Sequence, residues 1–191
     1  MRYLVLSDIH GGAEETALAL EFYKNFSCDA IVLLGDLLNH GPRNKIPGSY
    51  APMEVTTLLD LYKDKIVAVR GNCDGEVDGM MFSFPCNAPY GYLFIEKDGK
   101  IRRIFYTHGH LYDFKTEDGI KKLGLKRGDI VLSGHTHISG VFEYANGIIN
   151  INPGSISIPK GGTAAGFGVI DNDQISLYEL NGTKIKEFKL W

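Results

Sequence analysis

Residues 1–12 read MRYLVLSDIHGG. The run Arg2–Leu6 is short, largely apolar and branched, so it reads as a buried strand. It stops on Ser7, Asp8, Ile9 and His10. Gly11 and Gly12 then let the backbone turn sharply with no Cβ in the way. Asp8 and His10 are two positions apart at a strand end, so both side chains project to one side. A carboxylate and an imidazole aimed together off a strand tip are a candidate ligand pair for a divalent metal. The alternative is a polar strand cap, and the rest of the chain decides between them.

Working outward, Ala13–Phe26 reads as an amphipathic helix with acids in its first turn. Ala30–Leu34 is a second buried strand, ending on Gly35 and Asp36. A long loop follows, LLNHGPRNKIPGSYAP, and Pro52 opens a second helix that runs to Tyr62. Lys65–Val69 is a third strand, ending on Arg70, Gly71, Asn72, Cys73 and Asp74. Strand, helix, strand, helix, strand predicts a parallel sheet with chemistry at the strands' C-terminal ends. The second half changes character. Tyr90–Glu96 and Ile101–Thr107 flank Asp98-Gly99, a hairpin signal, and the second run ends at His108, Gly109 and His110. A short helix over Thr116–Leu123 precedes the strand Asp129–Ser133, which ends at Gly134, His135, Thr136 and His137. Val141–Ala145 and Ile148–Ile151 flank Asn146-Gly147. Phe167–Ile170, Ile175–Leu180 and Lys184–Leu190 complete the set. The predicted class is α/β, an α+β sandwich: two mixed β-sheets packed face to face with helices outside.

The chain has 191 residues, 44% of them hydrophobic, which suits one domain over residues 1–191. A net charge of −3 with no block of like charges does not suggest the basic surface that sequence-independent duplex binding needs, so no stable nucleic-acid partner is expected. Cys28, Cys73 and Cys86 are odd in number and match no zinc spacing, and the first apolar run is too short for a secretory core. A reduced, cytoplasmic protein is expected. No stretch approaches the roughly 18 apolar residues of a membrane span.

The predicted strand ends carry one class of polar group: Asp8 and His10, Asp36, Asn72, His108, and His135 with His137. All six histidines (10, 40, 108, 110, 135 and 137) lie in or beside these segments. The motifs D-x-H, GD, GN, THGH and GHTH, in this order, resemble the calcineurin-like metallophosphoesterase superfamily. The strings GDLLNHGPRN, VRGNCD and NPGSISIPKGG are similar to those of its small bacterial YfcE-type phosphodiesterases. The resemblance covers nearly the whole chain. It implies that Asp8, His10 and His137 hold one metal, that Asn72, His108 and His135 hold another, and that Asp36 bridges them. It also implies hydrolysis of a small phosphodiester by a metal-activated hydroxide.

The physics of that arrangement is independently sound. Cations about 3.5–4 Å apart need bridging anions, and two dications with two aspartates and one hydroxide keep a net positive charge suited to a phosphate ester. Carboxylate, amide and imidazole ligands suit manganese, iron or zinc better than calcium. The resemblance favours manganese, with iron, zinc or nickel as alternatives.

The chain departs from the superfamily at Cys73, where the usual GNH motif has a histidine that assists the leaving group. A thiol has one weak proton and no cationic form, so esters with good leaving groups should be favoured. Cys73 also has plainer readings, as a packing residue or a ligand for a soft metal. His40 is a candidate replacement and His110 a candidate support for a neighbouring ligand. The catalytic candidates are therefore Asp36, Asn72, Cys73 and His40. Arg43, with Asn39 near it, is the substrate-binding candidate, the alternative for Arg43 being an ion pair that holds the loop. Loop 39–51 either covers the site or holds a neighbouring subunit of a homo-oligomer. Asp74 is expected to cap a short helix after it, outside catalysis. Two further readings stay open: a scaffold of the same fold with weak catalysis, as in a retromer subunit, and a nuclease or phosphomonoesterase.

Overall fold

The computed structural model describes residues 1–191. In chain order the first half contains β1 (Tyr3–Leu6), α1 (Ala13–Asn25), β2 (Ala30–Leu33), α2 (Pro52–Asp60), β3 (Ile66–Ala68) and α3 (Glu76–Met81). The second half contains β4 (Tyr90–Lys97), β5 (Lys100–Thr107), α4 (Glu117–Lys122), β6 (Ile130–Leu132), β7 (Gly140–Glu143), β8 (Ile149–Asn152), β9 (Gly166–Ile170), β10 (Gln174–Glu179) and β11 (Lys184–Lys189). One sheet runs β11-β10-β9-β1-β2-β3 and the other β4-β5-β6-β8-β7. Both are mixed. β1, β2 and β3 are parallel, as are β5, β6 and β8, while the hairpins add antiparallel edges.

Strand alternation builds the layers. Tyr3 and Val5 of β1 face the second sheet and pack with Val32, Ile104, Tyr106, Ile130 and Leu132. Leu4 and Leu6 face the other way, into a core with Ala19 and Leu20 of α1 and Val55 and Leu59 of α2. Phe105 and Val131 likewise turn outward, beneath Ile120 of α4. The central strands are thus covered on both faces, which is why they read as continuous apolar runs.

This layering brings the strand ends together. Hydrogen bonding continues past the strands: Leu34 N–H donates to Leu6 O at 2.9 Å, Asp8 N–H to Gly35 O at 3.1 Å and His10 N–H to Asp36 O at 2.9 Å. Gly134 N–H donates to His108 O at 2.9 Å. The loops that carry the polar motifs are stitched to each other as well as to their strands. Loop 39–51 is pinned at its far end, where Ala13 N–H donates to Ser49 O and Ala51 N–H to Gly11 O.

One expectation is corrected here. Gly75, not Asp74, is the N-cap of α3, and the Asp78 side chain reaches back to the Gly75 N–H at 2.9 Å. Asp74 is buried and turned toward the polar loops.

Candidate metal centre

Asp8 is fully buried at the end of β1. Its Oδ2 accepts from Ser7 Oγ at 2.7 Å and from the His135 N–H at 3.0 Å. Its Oδ1 is buried with no hydrogen-bond partner. That oxygen lies 3.3 Å from His137 Nε2 and 3.8 Å from His10 Nε2. An unpaired buried carboxylate oxygen is costly unless something positive meets it. The two imidazole Nε2 atoms are 3.3 Å apart.

Asp36, after β2, divides its oxygens in the same way. Oδ1 accepts from the Cys73 N–H at 2.7 Å, and Oδ2 lies 3.6 Å from His10 Nε2 and 3.4 Å from His108 Nε2. One oxygen therefore faces two groups of donors. On the second side, Asn72 Oδ1 is 3.0 Å from His108 Nε2 and 2.6 Å from His135 Nδ1. The structure brings together all seven residues that the sequence singled out as ligands.

Backbone carbonyls set the tautomers. Nδ1 of His10 donates to Asn39 O at 2.7 Å, Nδ1 of His108 to Leu34 O at 2.7 Å and Nδ1 of His137 to Ile158 O at 2.8 Å. A carbonyl only accepts, so each Nδ1 carries the proton and each Nε2 is turned inward, as a ligating histidine requires. His110 was expected to orient a neighbouring ligand. It has no hydrogen bond at Nδ1 and instead packs its ring 5.2 Å from that of His108 and 6.0 Å from that of His135.

The electrostatics follow from burial and mutual charge. Burial pushes the Asp8 carboxyl up to about 7, although the His108 charge and the Ser7 hydrogen bond pull it down. Burial alone would raise Asp36 too. The hydrogen bond and charge of His108, the Cys73 amide and His10 outweigh it and hold this carboxyl below the usual range. Burial opposes a charged imidazole at His108, yet Asp36 and Asp8 raise it to about 9. Burial lowers His137 to about 4 and also lowers His10 and His135. The carboxylates thus demand positive charge at their inner oxygens, and three imidazoles stay neutral and available as ligands.

The backbone is strained here. The non-glycine residues at positive φ are Asp8, His10, Ser27, Asp36, Asp98, His135 and His137, five of which belong to the seven-residue donor set. Such conformations cost about 1 kcal/mol or more each and persist where the surroundings enforce them, commonly at functional sites. Close approach is enforced by missing side chains. A Cβ on Gly71 would stand 2.1 Å from Asp36 Oδ1, and one on Gly134 would stand 1.8 Å from Ser7 Oγ. Buried polar latches complete the frame. Asp74 accepts from the N–H groups of Asp36 at 2.8 Å, Leu37 at 2.7 Å and Gly71 at 2.7 Å. Ser155 Oγ donates to Asp8 O at 2.6 Å, and Asn152 Nδ2 to Gly134 O at 2.8 Å.

A cleft of about 600 Å³ opens over this cluster, lined in part by Asp36, Asn72, Cys73 and His135. Arg43 and Asn39, the substrate-binding candidates, line it. Arg43 forms no ion pair, and loop 39–51 is held by backbone hydrogen bonds instead. Cys73 is half-buried, and burial and the Asp36 charge push its thiol up to about 12. Its Sγ lies within 4.8 Å of donor atoms of His10 and Asp36. His40 is not brought to the cleft: its ring stands edge-on to Tyr50 at 5.5 Å. Lys160 also lines the cleft and was missed by the sequence reading. The available signal was its place in the glycine- and proline-rich string NPGSISIPKGG.

The residues fit divalent cations. Donor atoms about 2.0–2.2 Å from one ion lie roughly 3 Å from each other, close to the spacings seen on both sides of Asp36. The buried orphan Oδ1 of Asp8 is what such an ion would satisfy.

Comparison with known proteins agrees with this geometry. The calcineurin-like phosphoesterase superfamily domain matches residues 1–174. The chain is 44% identical to phosphodiesterase YfcE of Escherichia coli over 97% of its own length and 95% of the relative's. The solved structure of that phosphoesterase superposes with a TM-score of 0.88 at 40% identity, covering 100% of both chains. Vacuolar protein sorting 29 of Cryptosporidium parvum shares the fold, with a TM-score of 0.64 at 19% identity over 98% of this chain and 97% of that one.

Proposed function

The chain belongs to the calcineurin-like phosphoesterase superfamily and is a metal-dependent phosphodiesterase, and from that premise we propose that it works through two divalent ions bridged by Asp36. Asp8, His10 and His137 would hold one ion, and Asn72, His108 and His135 the other. The observation that carries the reading is Asp36 Oδ2, placed 3.6 Å from His10 Nε2 and 3.4 Å from His108 Nε2 while Oδ1 is held by a backbone amide. When bound, such ions lower the pKa of water toward 7 and polarise the phosphoryl oxygens.

The chain's own residues supply the rest. The carbonyls of Leu34, Asn39 and Ile158 hold three imidazoles in the ligating tautomer. Asp74 and Ser155 fix the loops, so the ligands need little reorganisation as charge moves in the transition state. Arg43 lies in the cleft with its guanidinium unpaired, suited to grip a phosphate oxygen or an ester arm. Cys73 lines the same cleft where the superfamily's acid stands, and a thiol is a weak proton donor. A departing oxygen that needs no proton is therefore favoured, which makes aryl esters better substrates than alkyl esters.

Manganese is our choice of native metal: the donor set suits manganese, iron or zinc, and the resemblance to the YfcE-type phosphodiesterases favours manganese among them. We place the protein in the cytoplasm, because Cys28, Cys73 and Cys86 are all free thiols. No helix is long and apolar enough to cross a membrane. Self-association into a homo-oligomer would cover exposed apolar side chains such as Leu61, Val77 and Met80. Metal content tests the central proposal. Manganese-loaded protein should carry two equivalents per chain and Asp36→Asn fewer than one. A single tightly held ion in the unmodified protein would refute the bridged pair.

A further inference from the structure

The cleft holds more positive charge than a simple diester can use. Arg43 and Lys160 both line it, and neither pairs with a carboxylate. Lys160 Nζ donates to Asn44 Oδ1 at 2.9 Å, a neutral partner that fixes the ammonium without cancelling its charge. Lys160 is tied down through its backbone, and the loop that carries Arg43 is braced on either side of it. Lys160 N–H donates to the carbonyl of His137 at 3.0 Å, so the residue is tied directly to the donor set. Next to Arg43, Asn44 Nδ2 donates to His40 O at 2.9 Å, and the Gly41 N–H donates to Asn39 Oδ1 at 2.8 Å.

The cleft offers little to an uncharged arm. Of its eleven lining residues, one is hydrophobic. Pockets for bases, acyl chains or aromatic rings are mostly apolar, so this one is built for something else. The one lining carboxylate, Asp36, belongs to the donor set, and a pair of dications held there would meet the single charge of a diester. The guanidinium fork and the ammonium remain without a counter-charge.

We propose that the substrate is a phosphodiester carrying a further anionic group, such as a phosphate, carboxylate or sulfonate, on one of its ester arms, and that Arg43 and Lys160 hold that group. The inference rests on the phosphodiesterase reading above and names the substrate class for it. Lys160 is then a specificity residue, and Asn44 positions it.

The test compares three monoesters binding to manganese-loaded protein by calorimetry: ethyl phosphate, 2-sulfoethyl phosphate and 4-sulfobutyl phosphate. A monoester can place its arm on either side of the centre, and a sulfonate is a poor metal ligand. The better sulfonate should bind about fivefold to tenfold more tightly than ethyl phosphate, as expected for two partly solvated ion pairs. The advantage should shrink as salt is raised. Lys160→Met and Arg43→Met should each reduce it, with ethyl phosphate as each variant's own reference, and Lys160→Arg should retain it. Equal binding of all three esters, in a preparation that hydrolyses bis(p-nitrophenyl) phosphate, overturns the proposal and leaves the activity standing. A folded, metal-loaded preparation that hydrolyses no diester overturns the underlying reading as well.

Discussion

Replacing Asp74 by asparagine keeps the shape of the side chain and removes one acceptor. In the native chain Oδ2 accepts from the N–H groups of Asp36 and Gly71, and Oδ1 from that of Leu37. The amide retains two of these bonds at best, by placing its oxygen toward Asp36 and Gly71. Its NH₂ then faces the N–H of Leu37, leaving a buried donor unpaired. Losing a charge-assisted bond costs about 1.5–3 kcal/mol, and weakening the other two from charged to neutral adds about 1 kcal/mol or more. Against this, burial raises the Asp74 pKa, so the native carboxylate carries a desolvation cost that the amide avoids. The net loss is about 2–4 kcal/mol, or roughly 5–15 °C in Tm for a chain of this size. The damage falls on the segments that carry Asp36 and Asn72, so metal affinity should drop by about 10–100-fold. Thermal unfolding of metal-stripped protein and metal content after dialysis measure the two effects separately. An Asp74→Asn protein with Tm within 1 °C of the parent and full metal content would refute the assignment of Asp74 as the clamp between these loops.

The remaining predictions concern the frame, the leaving group and pH. Gly134→Ala would push a methyl against buried Ser7 Oγ and against Asp8 Oδ2, which lies 2.6 Å from the added Cβ, so metal content and activity should fall together with a stability loss of about 1–3 kcal/mol. Unchanged metal content would show that the frame yields more easily than these distances imply. An aryl phosphodiester should be cleaved much faster than an alkyl one at pH 7–8, and Cys73→His should narrow the gap; equal rates in the parent enzyme would contradict the role given to the thiol. Burial pushes the Cys28 and Cys86 thiols up to about 11, above the unfolded value near 8.5. The folded chain therefore keeps these protons longer, so their contribution is complete below the unfolded value and is lost as pH rises through about 11. Urea titrations between pH 8 and 11 should show that decline, and it should be shallower in the Cys28→Ala/Cys86→Ala protein.

Much of the centre was legible because it lies where apolar runs stop. β1, β2, β6 and the second half of β5 are buried, so they appear in sequence as largely apolar stretches, and the residues after them stand out. Asp8, His10, Asp36, Asn72, His108, His135 and His137 were found in this way, and the ordered motifs gave the family. The asparagine- and aspartate-glycine pairs marked the hairpins because both residues accept positive φ, as Asp98 and Gly99 do at 51° and 73°.

What stayed hidden depends on contacts between segments distant in sequence. Asp74 looked like a helix cap because that is the local bond an aspartate makes before a helix. Two of its three partners, Leu37 and Asp36, are 37 and 38 residues away. Lys160 was passed over because its relation to Asn44, 116 residues distant, comes from folding. His40 was a reasonable candidate by position, but the packing of its ring against Tyr50 carries no sequence signal. Positive φ at Asp8 and His10 was equally unreadable, because aspartate and histidine adopt it only in a minority of settings. The complete donor set also bears on the scaffold alternative, since a scaffold is free to lose ligands and this chain has every position filled.

The most direct test is hydrolysis of bis(p-nitrophenyl) phosphate by metal-stripped protein, with Mn²⁺, Zn²⁺, Mg²⁺ or no metal added back, in the parent chain and in Asp36→Asn. A bridged two-metal phosphodiesterase predicts that the stripped protein is inactive, that Mn²⁺ restores turnover, and that Asp36→Asn stays inactive with every metal. Turnover in the stripped protein, or full Mn²⁺-restored activity in Asp36→Asn, would contradict it.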